Sequence, residues 1–109
     1  MNYLFVCSAN QKRSKTAEDH FAEINSVHEF RSAGTNLKTC RKLGTQEITS
    51  ELIDWADIIY VMENKHRAEL KAFDSNLKFF KIKVLNIPDR FEYMDSDLIH
   101  LLESKVQVK

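Results

Sequence analysis

Five consecutive apolar residues near the N-terminus, Tyr3-Leu4-Phe5-Val6-Cys7, constrain this chain more than any other stretch. A strand with one wet face alternates apolar and polar residues, whereas an unbroken run of strand formers is buried on both faces. Such a strand belongs to a parallel sheet covered by helices on both sides, and the rest of the chain supplies those helices. Ser14 to Ile24 places Ala17, Phe21 and Ile24 at helical spacing, with Glu18, Asp19 and Glu23 outside. Glu29 to Ser32 reads as a second strand ending at the turn Ala33-Gly34-Thr35, and Leu37 to Gly44 as a surface loop or a short helix. Thr49 caps a helix carrying Leu52, Ile53 and Trp55, the last packing helix against sheet. Asp57 to Met62 is the clearest strand, and Asn64 caps a helix that turns Ala68, Leu70 and Phe73 inward. The fourth strand lies within Lys81 to Ile87 and ends at Pro88, which cannot donate to a ladder. Leu98, Ile99, Leu101 and Leu102 mark a final helix. The order βαβαβαβα predicts an α/β domain whose right-handed crossovers gather the loops that follow the strands along one edge.

Composition narrows the function. A chain of 109 residues reads as a single domain, 1–109, burying roughly 65% of its unfolded surface. Only two glycines and one proline leave little room for long loops. Sixteen basic and sixteen acidic residues cancel, which disfavours a nucleic-acid partner, since that needs a basic excess. No apolar run approaches the ~20 residues of a membrane span, and the apolar start has no basic region before it, so a cytoplasmic protein without membrane contact is expected. Cys7 and Cys40 are too few for a disulfide scaffold or a structural zinc site, and the four histidines lack metal-ligand spacing. No metal is expected. His20, His28, His66 and His100 lie on polar stretches and read as surface residues, and Cys40 as a loop thiol without a role.

The informative segment is the loop after the first strand, Cys7-Ser8-Ala9-Asn10-Gln11-Lys12-Arg13-Ser14. Its backbone N–H groups can wrap an anion, and the helix that follows adds its positive end. Arg13 can grip two oxygens of a tetraoxyanion in a planar fork. The same field, with a hydrogen bond from Ser14, favours a thiolate at Cys7, placed for in-line attack on phosphorus. A Cys-(x)5-Arg spacing alone is common by chance. Its position at a strand–loop–helix transition is what gives it weight.

On these residues the chain resembles the low-molecular-weight protein tyrosine phosphatases, in a short, divergent form. The resemblance runs from Leu4-Phe5-Val6-Cys7 and the loop through Asn10 and Arg13-Ser14 to Ala17-Glu18. It continues through Ser32-Ala33-Gly34-Thr35, Thr49 to Glu51 and Ala56-Asp57 through Val61-Met62-Glu63, and ends at Asp89, Phe91 and Asp95-Ser96-Asp97-Leu98. It implies a four-stranded parallel sheet in the order 2-1-3-4 and a phosphomonoester hydrolase acting through a phosphocysteine on Cys7. Arg13 then binds phosphate and Asp89 serves as general acid and base. No cofactor is implied, because Arg13 and the amides of Ser8 to Ser14 supply the charge stabilisation. The implied substrates are phosphotyrosine proteins or small aryl phosphates, with phosphate and vanadate as inhibitors.

The chain departs from the family pattern in places. Pro88 precedes Asp89 and Arg90 follows it, where the family has aspartate followed by proline. Lys12 replaces the second loop cysteine, which removes a disulfide switch within the loop. The segment from Thr35 to Thr49 is short, and no histidine there matches the one that commonly supports the loop asparagine. Phe91 and Tyr93 are the candidate aromatic wall for a substrate ring. Lys12, Lys15 and Arg90 either steer an anionic substrate or are solvated surface. Asp95 and Asp97 suit helix capping. Two alternatives stand beside the phosphatase: a non-catalytic phosphate-binding or partner-recognition module on the same fold, and an arsenate reductase. The latter needs resolving thiols, and only Cys40 is available.

Overall fold

A computed structural model describes residues 1–108. Its elements run β1 (Asn2–Cys7), α1 (Arg13–Ile24), β2 (Glu29–Gly34), α2 (Leu37–Leu43), α3 (Ser50–Trp55), β3 (Ile58–Val61), α4 (Asn64–Phe73), a 3-10 turn (Phe79–Lys81), β4 (Ile82–Val84) and α5 (Ser96–Lys105). The strands form one parallel sheet in the order β2-β1-β3-β4, as the resemblance implied. Cys7 pairs with Gly34 at the carboxyl edge, and Val6 with Ala33 and Val61.

The continuous apolar run is buried as its composition required: Tyr3 to Val6 are completely inaccessible and Cys7 nearly so. Alternation sorts the run between two cores. Tyr3, Phe5 and Cys7 join Ala17 and Phe21 of α1, Tyr60 of β3, and Leu98 and Leu102 of α5. Leu4 and Val6 join Leu52 and Ile53 of α3, Ile59 and Val61 of β3, and Leu70 of α4. The first core is largely aromatic: Phe5 lies near-parallel to Phe21 and Tyr60 at centroid distances of 5.6 and 5.8 Å, and Tyr3 to Phe30 at 5.4 Å.

Some local expectations hold and others shift. Leu37–Leu43 is a helix, because Asn36 accepts from the Thr39 N–H at its start and Gly44, at φ 72°, ends it in the left-handed region. Thr49 caps α3 by accepting from the Leu52 N–H. The N-cap of α4 is Glu63, with Asn64 the first helical residue. Ile24 and Phe73 are exposed, as is Ala68, so α1 and α4 bury narrower stripes than their apolar residues suggested. β4 is shorter than the apolar run, yet Leu85 and Ile87 continue to donate to the Val61 and Met62 carbonyls and carry the chain to Pro88. Among the described residues no helix is long and apolar enough to cross a membrane.

Gly34 is where the sheet meets the loop after β1. A Cβ there would stand 2.5 Å from the Cys40 Sγ and 2.5 Å from the Ser8 carbonyl oxygen. Only a residue without a side chain lets β2 and α2 close on the loop. Gly34→Ala is expected to cost about 1–3 kcal/mol in urea denaturation, the usual penalty for overpacking. Adding Cys40→Ala should restore only part of it, because the Ser8 carbonyl is backbone and cannot step aside.

Candidate active site

The loop from Ser8 to Lys12 owes its shape to its carbonyls. The Cys7 carbonyl accepts from the Thr35 N–H at 3.0 Å and the Ser8 carbonyl from the Asn36 N–H at 3.0 Å. The Ala9 carbonyl accepts from the Thr45 hydroxyl at 2.6 Å. All three bonds lead outward, to the segment after β2. A trans peptide points its N–H opposite to its C=O, and no peptide here is cis. The N–H groups of Ser8, Ala9 and Asn10 are therefore turned the other way, into the loop. N–H groups turned inward in this way can receive an anion.

Asn10 holds the turn. It sits at φ 53°, a conformation that asparagine tolerates better than most residues. Its side-chain amide donates to the hydroxyls of Ser14 (2.9 Å) and Ser32 (2.7 Å), and its oxygen accepts from the Gln46 N–H (3.1 Å). Two serines and a backbone amide thus hold Asn10. The Ser14 hydroxyl also lies 2.9 Å from the Cys7 Sγ, where it can donate to a thiolate.

Arg13 opens α1 and is buried to 2% exposure, an expensive place for a cation. Its Nη1 is fully used, donating to the Glu63 carboxylate at 2.5 Å and to the Ile87 carbonyl at 2.7 Å. The Nε–Nη2 edge makes no hydrogen bond to any described residue, and Asp89 stands 3.8 Å from Nε. That edge can take two oxygens of a ligand. The Arg13 hydrogen bond holds the Glu63 carboxyl below its ordinary range.

Cys7, Ser8, Ala9, Gln11, Lys12, Arg13 and Asp89 line one small cavity of about 140 Å³. A larger cavity of about 690 Å³ lies behind the loop, between Asn10, Lys15, Glu18, Arg31 and Gln46, and no thiol lines it. Of the two, only the smaller brings a thiol, a guanidinium and a carboxylate together. Asp89 is exposed at its mouth. Phe91 and Tyr93 do not line it: Phe91 is buried in the aromatic core, and the Tyr93 hydroxyl donates to Asp19 on α1. Both anchor the segment that carries Asp89, helped by a bond from the Met94 N–H to the Thr16 hydroxyl and by the Lys12–Glu92 ion pair. Lys15 pairs with Glu18 and Asp19, away from the cavity. Asp95 caps α5, accepting from the Asp97 N–H. Among the described residues no group of histidine, cysteine and carboxylate side chains could hold a metal ion.

Three residues were not read correctly from the sequence. Glu63, which ends the third-strand segment of the resemblance, supplies the counter-charge of Arg13. Cys40 is no loop thiol: it is fully buried on α2, with its Sγ 3.8 Å from the Ser8 carbonyl. His66 is no surface residue: it is completely inaccessible. Its Nδ1 accepts from the Glu63 N–H at 3.0 Å, and its Nε2 lies 2.9 Å from the Ser8 hydroxyl. The signal available was Glu63-Asn64-Lys65-His66, a histidine three positions after the N-cap, where a side chain can reach back to the cap's N–H.

The fold is that of the low-molecular-weight protein tyrosine phosphatases. The tyrosine phosphatase Wzb from Escherichia coli K30, solved in complex with phosphate, superposes with a TM-score of 0.75 at 20% identity, covering 95% of this chain and 91% of that one. The YwlE arginine phosphatase from Geobacillus stearothermophilus superposes at 0.72 and 20% identity, covering 94% and 88%. A low-molecular-weight phosphotyrosine phosphatase from Vibrio cholerae O395 gives 0.71 and 22%, covering 96% and 91%. No protein-family model and no curated protein matches the chain.

Burial first, and then the Arg13 charge, push His66 down to about 4. An unfolded histidine titrates near 6.5, so between about 6.5 and 4 the unfolded chain holds a proton that the folded one refuses. Stability should therefore be full above that window and fall as pH drops through it, by up to about 3 kcal/mol at its lower end. His66→Asn should flatten the slope in urea denaturation across the window. An unchanged slope would assign it to other groups.

Proposed function

We propose that this protein is a cysteine-dependent phosphohydrolase acting through a phosphocysteine. The observation that carries the reading is the convergence of Cys7, the open edge of Arg13 and Asp89 on one anion-sized cavity. The Cys7 thiolate attacks phosphorus, and the bond from phosphorus to the leaving group breaks. Asp89 gives the departing atom a proton. Water then attacks the phosphocysteine as Asp89 takes its proton back, releasing phosphate and the thiolate. The loop N–H groups and the Arg13 fork meet the charge on the three non-bridging oxygens throughout. Inorganic phosphate and vanadate should compete for the same cavity.

Phosphotyrosine in a protein, or a small aryl phosphate, is the first substrate class, on the resemblance of the loop and the fold. The polar mouth favours a second reading. Gln11, Lys12 and Asp89 border the cavity where an aromatic wall was expected, and such a border suits a polar leaving group such as phosphoarginine, the class named for one structural neighbour. A catalytic thiolate needs a reducing compartment, which supports a cytoplasmic location.

The test is to trap a phosphoryl adduct on Cys7 by mass spectrometry with p-nitrophenyl phosphate, then compare turnover of phosphotyrosine and phosphoarginine peptides. Asp89→Asn should slow adduct formation by about 10²–10⁴-fold while phosphate still binds, and less for good leaving groups. Arg13→Lys keeps the charge and loses the fork, so phosphate affinity and turnover should both fall. A protein that binds phosphate but yields no adduct with any of these substrates would be a phosphate-binding module.

In iodoacetate alkylation Cys7 should react faster than the fully buried Cys40, and inorganic phosphate should block Cys7 alone. Equal rates for the two thiols would remove Cys7 as the nucleophile.

A further inference from the structure

We propose that the Ser8 side chain is a substrate contact, donating its hydroxyl proton to an oxygen of the bound phosphoryl group, and that His66 is the positioning residue that aims it. The inference rests on the phosphate-binding role proposed for the cavity and adds two residues to it.

The argument is one of proton direction. The Glu63 N–H can only donate, so the His66 Nδ1 that lies 3.0 Å from it must be the unprotonated ring nitrogen. A neutral imidazole then carries its single proton on Nε2. Nε2 lies 2.9 Å from the Ser8 oxygen and donates to it. The Ser8 hydroxyl thus accepts from the histidine, and its own hydrogen needs an acceptor. No described residue provides one, while Ser8 borders the cavity where the phosphoryl oxygens would lie. The imidazole has no latitude: it is completely buried, and it occupies the third position of α4, whose N-cap Glu63 grips Arg13. One side chain therefore ties the first residue of the loop to the anchor of the arginine at its end.

The probe is inorganic phosphate, read as protection of Cys7 against iodoacetate, with kcat/KM for p-nitrophenyl phosphate alongside. Ser8→Ala should weaken protection by about tenfold, the effect of losing one hydrogen bond to a charged group. His66→Asn should do the same, and the double variant should be no worse than either alone, because both remove one interaction. Two conservative variants separate aiming from folding. Glutamine can place an amide N–H near the position of Nε2 but loses the acceptor for Glu63. Asparagine keeps that acceptor and loses the donor. Phosphate affinity should therefore rank His66→Gln above His66→Asn, while melting temperature ranks them the other way. A purely structural histidine would order both measurements alike, which would overturn the proposal. So would wild-type protection in Ser8→Ala, or additive losses in the double variant. If the His66 variants do not fold, Ser8→Ala decides alone. If the wild type protects with phosphate but hydrolyses nothing, the catalytic reading fails and this one is still decided by protection. If phosphate does not protect wild-type Cys7, the proposal falls.

Discussion

The carbonyls of Cys7, Ser8 and Ala9 are hydrogen-bonded away from the cavity, and the site depends on that choice of direction. A buried carbonyl must find a partner, and here each finds one in the segment from Thr35 to Thr45. Had that segment been elsewhere, the carbonyls would compete for the interior and repel an anion. Gly34 permits the close approach, Asn10 accepts the left-handed turn, and Ser14 and Ser32 receive its amide. The short stretch between β2 and α3 is thus the outer wall of the loop after β1.

Burying Arg13 raises the opposite problem. A guanidinium with no water around it needs a partner of opposite charge and acceptors for its N–H groups. Glu63 and the Ile87 carbonyl meet that need on one edge and leave the other edge without a hydrogen-bond partner among the described residues. Glu63 stands at the N-cap of α4, where the helix end also favours a negative charge. The arginine, the start of α4 and the stretch that follows β4 form one electrostatic unit, joined to Ser8 by His66.

The mouth follows a simpler logic. The segment from Pro88 to Asp95 has no regular structure and would be mobile without anchors. Phe91 fills the aromatic core, Tyr93 reaches Asp19, and Met94 bonds to Thr16. The aromatics that a reading by proximity assigned to the substrate instead hold the general-acid candidate over the cavity. They belong to the packing of α1 and α5, and the cavity keeps a polar rim.

Periodicity, run length and punctuation were enough for the strands, for every helix but α2, for the parallel sheet and for the location of the loop, because each reports a local requirement. A five-residue apolar run must be covered on both sides, Thr49 and Asp95 offer oxygens where helices begin, and a cysteine and an arginine bracket a strand–helix turn. The strand order came from the family resemblance. Which face of a short helix is wet, as for Ile24 and Phe73, was not legible, because the pattern shows apolar residues but not how wide a stripe the neighbours can cover. Nor were the partners of buried charges and dipoles. Glu63 lies fifty positions from Arg13, and His66 fifty-eight from Ser8. Neighbours in sequence say nothing about such pairs; only folding the sheet brings the ends of β1, β3 and β4 to one edge and makes them contacts. The chain by itself determined that a polar loop bracketed by Cys7 and Arg13 would follow a buried strand. The tertiary structure decided what neutralises its arginine, what holds its serine and what lines its mouth, because those are long-range solutions to the cost of burying charge.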